Sequence, residues 1–176
     1  PLRANAAVQI NNVSVVAVGG SVIKKDDQVE ITGTGLGSAN STHIVTYGPT
    51  GDLDRYRATP CQVTQEDTIL ICTIVQGVGT NLKFIVTVDS DASTDSDDAF
   101  SYPEPTISGL AGDATDAEGS TTEGQVDITI SGTNFGPSNK QNDGALVVTY
   151  GADGTGYNAT NCVVNSDVEI VCKTQP

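Results

Sequence analysis

The sequence predicts an all-β chain built from two tandem copies of one module. Three observations carry that expectation. Val, Ile and Thr, which are stiff at χ1 and prefer strands, dominate over Leu, Lys and Arg, and the chain holds 19 Gly with no Met and no Trp. No stretch of ten or more residues places apolar side chains at i, i+3, i+4 and i+7. Finally, the chain repeats itself. Ile31-Thr32-Gly33-Thr34-Gly35-Leu36-Gly37 returns as Ile130-Ser131-Gly132-Thr133-Asn134-Phe135-Gly136. Ile44-Val45-Thr46-Tyr47-Gly48 returns as Val147-Val148-Thr149-Tyr150-Gly151, and the pair Cys61 and Cys72 returns as Cys162 and Cys172. The offsets of 99, 103 and 100 are constant enough to mean duplication with small loop insertions.

In the first copy, alternation between turn residues predicts strands at Val8 to Val18, Val29 to Thr34, Ile44 to Tyr47, Cys61 to Val63, Ile69 to Thr73, Leu82 to Val88 and Ala99 to Tyr102. Seven short strands in about 95 residues suit an immunoglobulin-like β-sandwich. Pro103-Glu104-Pro105 follows directly as a short, stiff joint. The expected domains are therefore residues 8–102 and 103–176, preceded by an amino-terminal segment at 1–7.

Four cysteines allow three pairings. The repeat favours Cys61 with Cys72 and Cys162 with Cys172, one bond per module between neighbouring strands. The spacing contains no CxxC and His43 is the lone imidazole, so zinc is not expected. Disulfides imply an oxidising compartment, extracellular or at the cell surface. Three sequons agree, at Asn12, Asn40 and Asn158, as candidate sites for covalent glycans in a eukaryotic source. Asn12 should face outward from a strand whose Ile10 and Val13 are packed.

The residues up to this point resemble the IPT/TIG domain, an immunoglobulin-like family of plexins, some receptor kinases, some transcription factors and many surface proteins. The family opens on P-x-I-x-x-V, continues with I-x-G-x-N/G-F/L-G, a V-x-V/Y strand and a Cys pair, and closes on F-x-Y. The second copy offers Pro105-Thr106-Ile107-Ser108-Gly109-Leu110, then Ile130 to Gly136. The first offers Val8 to Val13, with Val8 in place of the proline, then Gly33 to Gly37, and ends on Ala99-Phe100-Ser101-Tyr102. Cys72-Thr73-Ile74-Val75-Gln76-Gly77-Val78-Gly79 resembles the family's C-x-T-x-x-G-x-G. The resemblance spans nearly the whole chain and implies fold more than function. In the glycine-rich bend, Gly37 and Gly136 should take positive φ, with Leu36 and Phe135 folding back onto the core. The bend lacks Lys and a following helix, so it is not a phosphate loop.

The copies differ in one respect. After Cys72 the first copy continues for thirty residues to Tyr102, enough for two more strands, whereas four follow Cys172. The second sandwich is thus expected to lack its last two strands. Either the chain is a slice of a longer tandem array, or the amino-terminal segment of one subunit completes the second module of the next. That segment alternates, with Leu2, Ala4 and Ala6 on one side, and the repeat places it where a preceding module would close. No signal peptide is visible and the chain starts at Pro1, which reads as mature or excised.

Charge narrows the partners. The formal net charge is −14, split as −6 over residues 1–102 and −8 over 103–176, and repels nucleic acid and anionic membrane surfaces. No run of 18 apolar residues inserts into a membrane. The expected partner is protein, either copies of itself in a homopolymer or neighbouring modules of an array. Asp89, Asp91, Asp95, Asp97 and Asp98 form the densest acidic run. Oxygen ligands in that number are a weak candidate for Ca²⁺, but EF-hand spacing is missing and a solvated hairpin loop is the expected reading. Asp113, Asp116, Glu118 and Glu123 mark a second exposed acidic loop, and Arg55 and Arg57 beside Asp52 and Asp54 a surface charge pair. His43 is the only base near neutrality and no G-x-S-x-G is present, so neither an enzyme nor a cofactor is expected. The leading expectation is a structural or adhesive protein: a stalk, surface array or filament subunit. The alternative is a ligand- or carbohydrate-binding ectodomain, for which Tyr56 and Tyr157 are the candidate exposed aromatics.

Overall fold

A computed structural model describes residues 7–17, 20–113, 123–138 and 146–176. The chain divides into two compact units, Pro1–Pro103 and Glu104–Pro176. The described residues form fourteen strands, and every strand pair among them is antiparallel. Among the described residues no helix is long and apolar enough to cross a membrane.

The first unit has two four-stranded sheets. One holds β1 (Gln9–Val15), β2 (Gln28–Thr34), β6 (Ile69–Thr73) and β5 (Cys61–Gln65), in the order β1-β2-β6-β5. The other holds β4 (Tyr56–Ala58), β3 (His43–Gly48), β7 (Lys83–Val88) and β8 (Asp91–Ala92), in the order β4-β3-β7-β8. Alternation sends Val29 and Ile31 of β2, Val45 and Tyr47 of β3, and Phe84, Val86 and Val88 of β7 into one core. Leu36 and Leu82 seal it, each fully buried.

Several boundaries differ from the sequence reading. The first strand is Gln9–Val15 rather than Val8 to Val18; Val18 lies outside the described residues. Ala99 to Tyr102 is not a continuous strand. Phe100 bridges Leu82 antiparallel and Ser101 bridges Val22 parallel, because the closing segment passes between two partners instead of following one. Strands β4 and β8 were not foreseen, since three and two residues are too few to show alternation.

The second unit repeats half of this design. Strands β9 (Thr106–Ala111), β10 (Asp127–Thr133), β14 (Glu169–Lys173) and β13 (Thr160–Ser166) form a sheet in the order β13-β14-β10-β9, matching β5-β6-β2-β1. The irregularity recurs too. The β1–β2 register shifts after Ile10↔Gly33, and the β9–β10 register shifts at Ile107↔Gly132. Among the described residues the opposing layer holds β11 (Thr149–Tyr150) and β12 (Tyr157–Asn158), the places of β3 and β4. Among the described residues nothing stands where β7 and β8 stand in the first unit. Among the described residues its core comprises six buried residues against twenty in the first.

The glycine-rich bends are alike in both units. Gly35, Gly37 and Gly136 have φ of 68°, 71° and 90°, and Asn134 takes the place of Gly35 with φ 61°. Asparagine tolerates this region better than other side-chain-bearing residues.

Candidate functional site

The first unit shows what a completed module looks like. Tyr47 lies opposite Tyr56 across β3–β4, with ring centroids 5.3 Å apart, and Phe84 from β7 stacks on Tyr47 at 4.9 Å. The Tyr47 hydroxyl accepts the Val75 N–H at 3.3 Å and meets the Tyr102 hydroxyl at 2.7 Å. Burial pushes the Tyr47 phenol up to about 12 and raises that of Tyr102 further. On the opposite sheet, Val13 of β1 is buried at 4% exposure and Ile10 is half-buried.

The second unit carries the same constellation uncovered. Tyr150 lies opposite Tyr157 across β11–β12, rings stacked at 5.4 Å. The Tyr150 hydroxyl accepts the Gln175 N–H at 2.7 Å. Gln175 stands three residues after Cys172, as Val75 stands three after Cys72. Beyond that the likeness stops. Tyr157 is 52% exposed where Tyr56 is 5%. Leu110 is 56% exposed where Val13, which shares its register, is 4%. Ile107, the partner of Ile10 in register, is 67% exposed. Ile107 and Leu110 on β9 and Tyr157 on β12 thus expose apolar side chains whose counterparts in the first unit are packed. Exposed apolar side chains of this kind favour association.

The remaining site residues are placed as follows. Cys61 and Cys72 are bonded directly across β5–β6, and Cys162 and Cys172 are bonded between β13 and β14. Asn12 on β1, Asn40 in the loop before β3 and Asn158 on β12 are all exposed. Leu2, Ala4 and Ala6 lie outside the described residues, as do Asp116 and Glu118. Tyr56 is not an exposed aromatic: it is buried, and its hydroxyl donates to the Val78 carbonyl at 2.9 Å. Arg55 pairs with Asp52 at 2.6 Å.

The acidic run does not converge on a cation. Asp89 accepts the Thr42 N–H at 2.9 Å, Asp98 accepts the Val13 N–H at 2.8 Å, and Asp95 pairs with Lys83 at 3.0 Å. Hydrogen bonding to Lys83 holds the Asp95 carboxyl below its ordinary range. Asp91 belongs to β8, and Asp97 is exposed. No group of three His, Cys, Asp or Glu able to hold a metal gathers among the described residues. The functional elements of this segment are its serines, which sequence reasoning missed. Ser96 Oγ accepts the Phe84 N–H at 3.0 Å and Ser93 Oγ accepts the Val86 N–H at 3.1 Å. Their own N–H groups donate to the same two residues' carbonyls, at 2.9 Å each. The run is an edge cover for β7, satisfying backbone groups that would otherwise face outward. The signal was available in the two small hydroxyl residues spaced between carboxylates, but that pattern also describes a solvated loop.

His43 is half-buried, with Nε2 bonded to the Leu36 carbonyl at 2.8 Å. It shares an open groove of about 390 Å³ with Ser41, Arg57, Thr59 and Gln62, where no carboxylate lies beside it to orient it as a base.

No protein-family model matches the chain, and no curated protein does. Among solved structures the chain is similar to SGBP-B from a complex xyloglucan utilization locus in Bacteroides uniformis, with 12% sequence identity and a TM-score of 0.39. The superposition covers 97% of this chain and 43% of that one, so the chain spans less than half of that protein.

Proposed function

We propose that this chain is an extracellular structural or adhesive protein, a stalk, surface array or filament subunit made of tandem IPT/TIG-like modules that join one another by strand complementation. The observation that carries this reading is the exposure of Ile107 and Leu110 on the second unit, whose register-matched counterparts in the first, Ile10 and Val13, are half-buried and buried. Two disulfides, an acidic surface of net charge −14 and three exposed sequon asparagines support it, since together they suit a durable, soluble, glycan-bearing protein outside the cell. No catalytic role is proposed. Electron microscopy of the native material tests the reading: rods or filaments with a module-sized repeat are expected, and dispersed single particles refute it.

One observation favours a second reading, a carbohydrate-binding ectodomain. Tyr157 presents an exposed ring backed by Tyr150, and an exposed aromatic face can stack on a sugar. The two readings part on a glycan array, which the structural protein leaves dark.

A further inference from the structure

We infer that the groove beside His43 and Arg57 in the first unit binds a carboxylate-bearing saccharide. The inference rests on the carbohydrate-binding reading above, names its ligand class and places its site in the first unit. The groove lies where the chain crosses from β4 to β5, the outer strands of the two sheets. Its volume of about 390 Å³ falls within the range of about 300–1,000 Å³ usual for small-ligand sites. Both strands are held in place. Arg57 is paired with Thr46 of β3, and Cys61 is bonded to Cys72 of β6. The side chains that line the groove are thus presented from a rigid frame.

Charge, hydrogen-bonding groups and the duplication itself point to this ligand. The chain holds 22 Asp and Glu against eight Lys and Arg, yet Arg57 and the lone His line the groove and no carboxylate does. Lys25, Arg55, Lys83 and Lys173 each pair with an Asp, whereas Arg57 pairs with none among the described residues. An exposed, unpaired guanidinium offers a planar fork that fits a carboxylate. His43 Nε2 bonds to a carbonyl and therefore carries the hydrogen, which leaves Nδ1 of the neutral ring as an acceptor for a hydroxyl. The Ser41 and Thr59 hydroxyls and the Gln62 amide add donors and acceptors around it. One guanidinium among such groups suits a sugar acid, in which hydroxyls surround a single carboxylate. The fold itself does not need the two basic residues. The second unit repeats the strand pair with Asn158 opposite Thr149, where the first has Arg57 opposite Thr46. Leu146 stands four residues before Tyr150, as His43 stands four before Tyr47.

Titration calorimetry on the full chain at neutral pH and low salt tests this. Digalacturonic acid and sialyllactose serve as acidic probes and galactobiose as the neutral one. At least one acidic probe is expected to bind about tenfold or more tightly than galactobiose, which lacks the charged partner for Arg57. Arg57→Ala is expected to weaken that binding about tenfold, Arg57→Lys to recover part of it, and Gln62→Ala to weaken it by a smaller factor. Arg57 and Gln62 are exposed, so these changes leave the core intact, which circular dichroism checks. Lys24→Ala removes an exposed cation outside the groove and is expected to change nothing. Acidic probes that bind no better than galactobiose, or that keep their affinity in Arg57→Ala, overturn the inference, while the carbohydrate-binding reading stands if any sugar still binds. An equal loss in Lys24→Ala assigns the attraction to overall charge and overturns the inference as well. No binding by any probe, together with a dark glycan array, overturns both.

Discussion

At the scale of single residues, the glycines at the two register shifts are tightly constrained. A Cβ on Gly33 would meet the Gln9 carbonyl oxygen, and one on Gly132 would meet the Thr106 carbonyl oxygen and the Phe135 ring. Neither neighbour is the end of a flexible chain, so the backbones must part. Gly33→Ala and Gly132→Ala should each cost about 2–3 kcal/mol in urea unfolding. Gly109→Ala, with nothing within 4 Å of its added Cβ, should be near neutral. The buried tyrosines make a second prediction. Removing the Tyr102 hydroxyl with Tyr102→Phe takes away its bond to Tyr47 and should cost about 1–2 kcal/mol. Because burial raises both phenols above their ordinary 10.0, the folded state favours the neutral form. That contribution is whole below pH 10 and is lost as the pH rises through about 12. An alkaline titration at the tyrosinate band should show these two residues ionising together with unfolding of the first unit.

At the scale of elements, each disulfide clasps a strand pair of its own sheet, closing loops with sequence separations of 11 and 10. Chain-entropy reasoning assigns each about 3 kcal/mol. The two units should not feel the loss equally. The first has twenty buried residues to fall back on, and the second has six. Replacing Cys162 and Cys172 together by Ser should make the second unit protease-sensitive at room temperature, whereas the matching change at Cys61 and Cys72 should leave the first resistant. Mass spectrometry of the fragments after brief proteolysis reads this directly. Ser93 and Ser96 belong to the same scale: they close the edge of β7 by bonding its backbone, so changing both to Ala should expose that edge and promote aggregation without emptying the core.

At the scale of the whole molecule, the chain pairs a completed module with an uncovered one. Calorimetry of the isolated chain should resolve two transitions, the lower belonging to the second unit. A single cooperative transition would contradict this picture. The −14 charge acts at this scale as well, disfavouring non-specific contact between copies.

The strand character, the duplication, the cysteine pairing and the positive φ of Gly37 and Gly136 were legible from the residues alone, because each depends on local chemistry or on comparing the chain with itself. Val13 and Leu110, or Tyr56 and Tyr157, are alike in type and in register, yet one of each pair is buried and the other exposed. That difference follows from what packs against each: in the first unit the Tyr102 ring lies 5.7 Å from the Tyr56 ring and β1 lies against β7. Nor did the acidic run reveal that Asp98 reaches Val13 and Ser96 reaches Phe84. Those bonds join residues 85 and 12 positions apart, and only the packed sheets bring them together. What the residues settled was which segments are strands and which faces are apolar. What the tertiary structure alone decided was which apolar faces are covered, because burial depends on a strand's neighbours as well as on its own alternation.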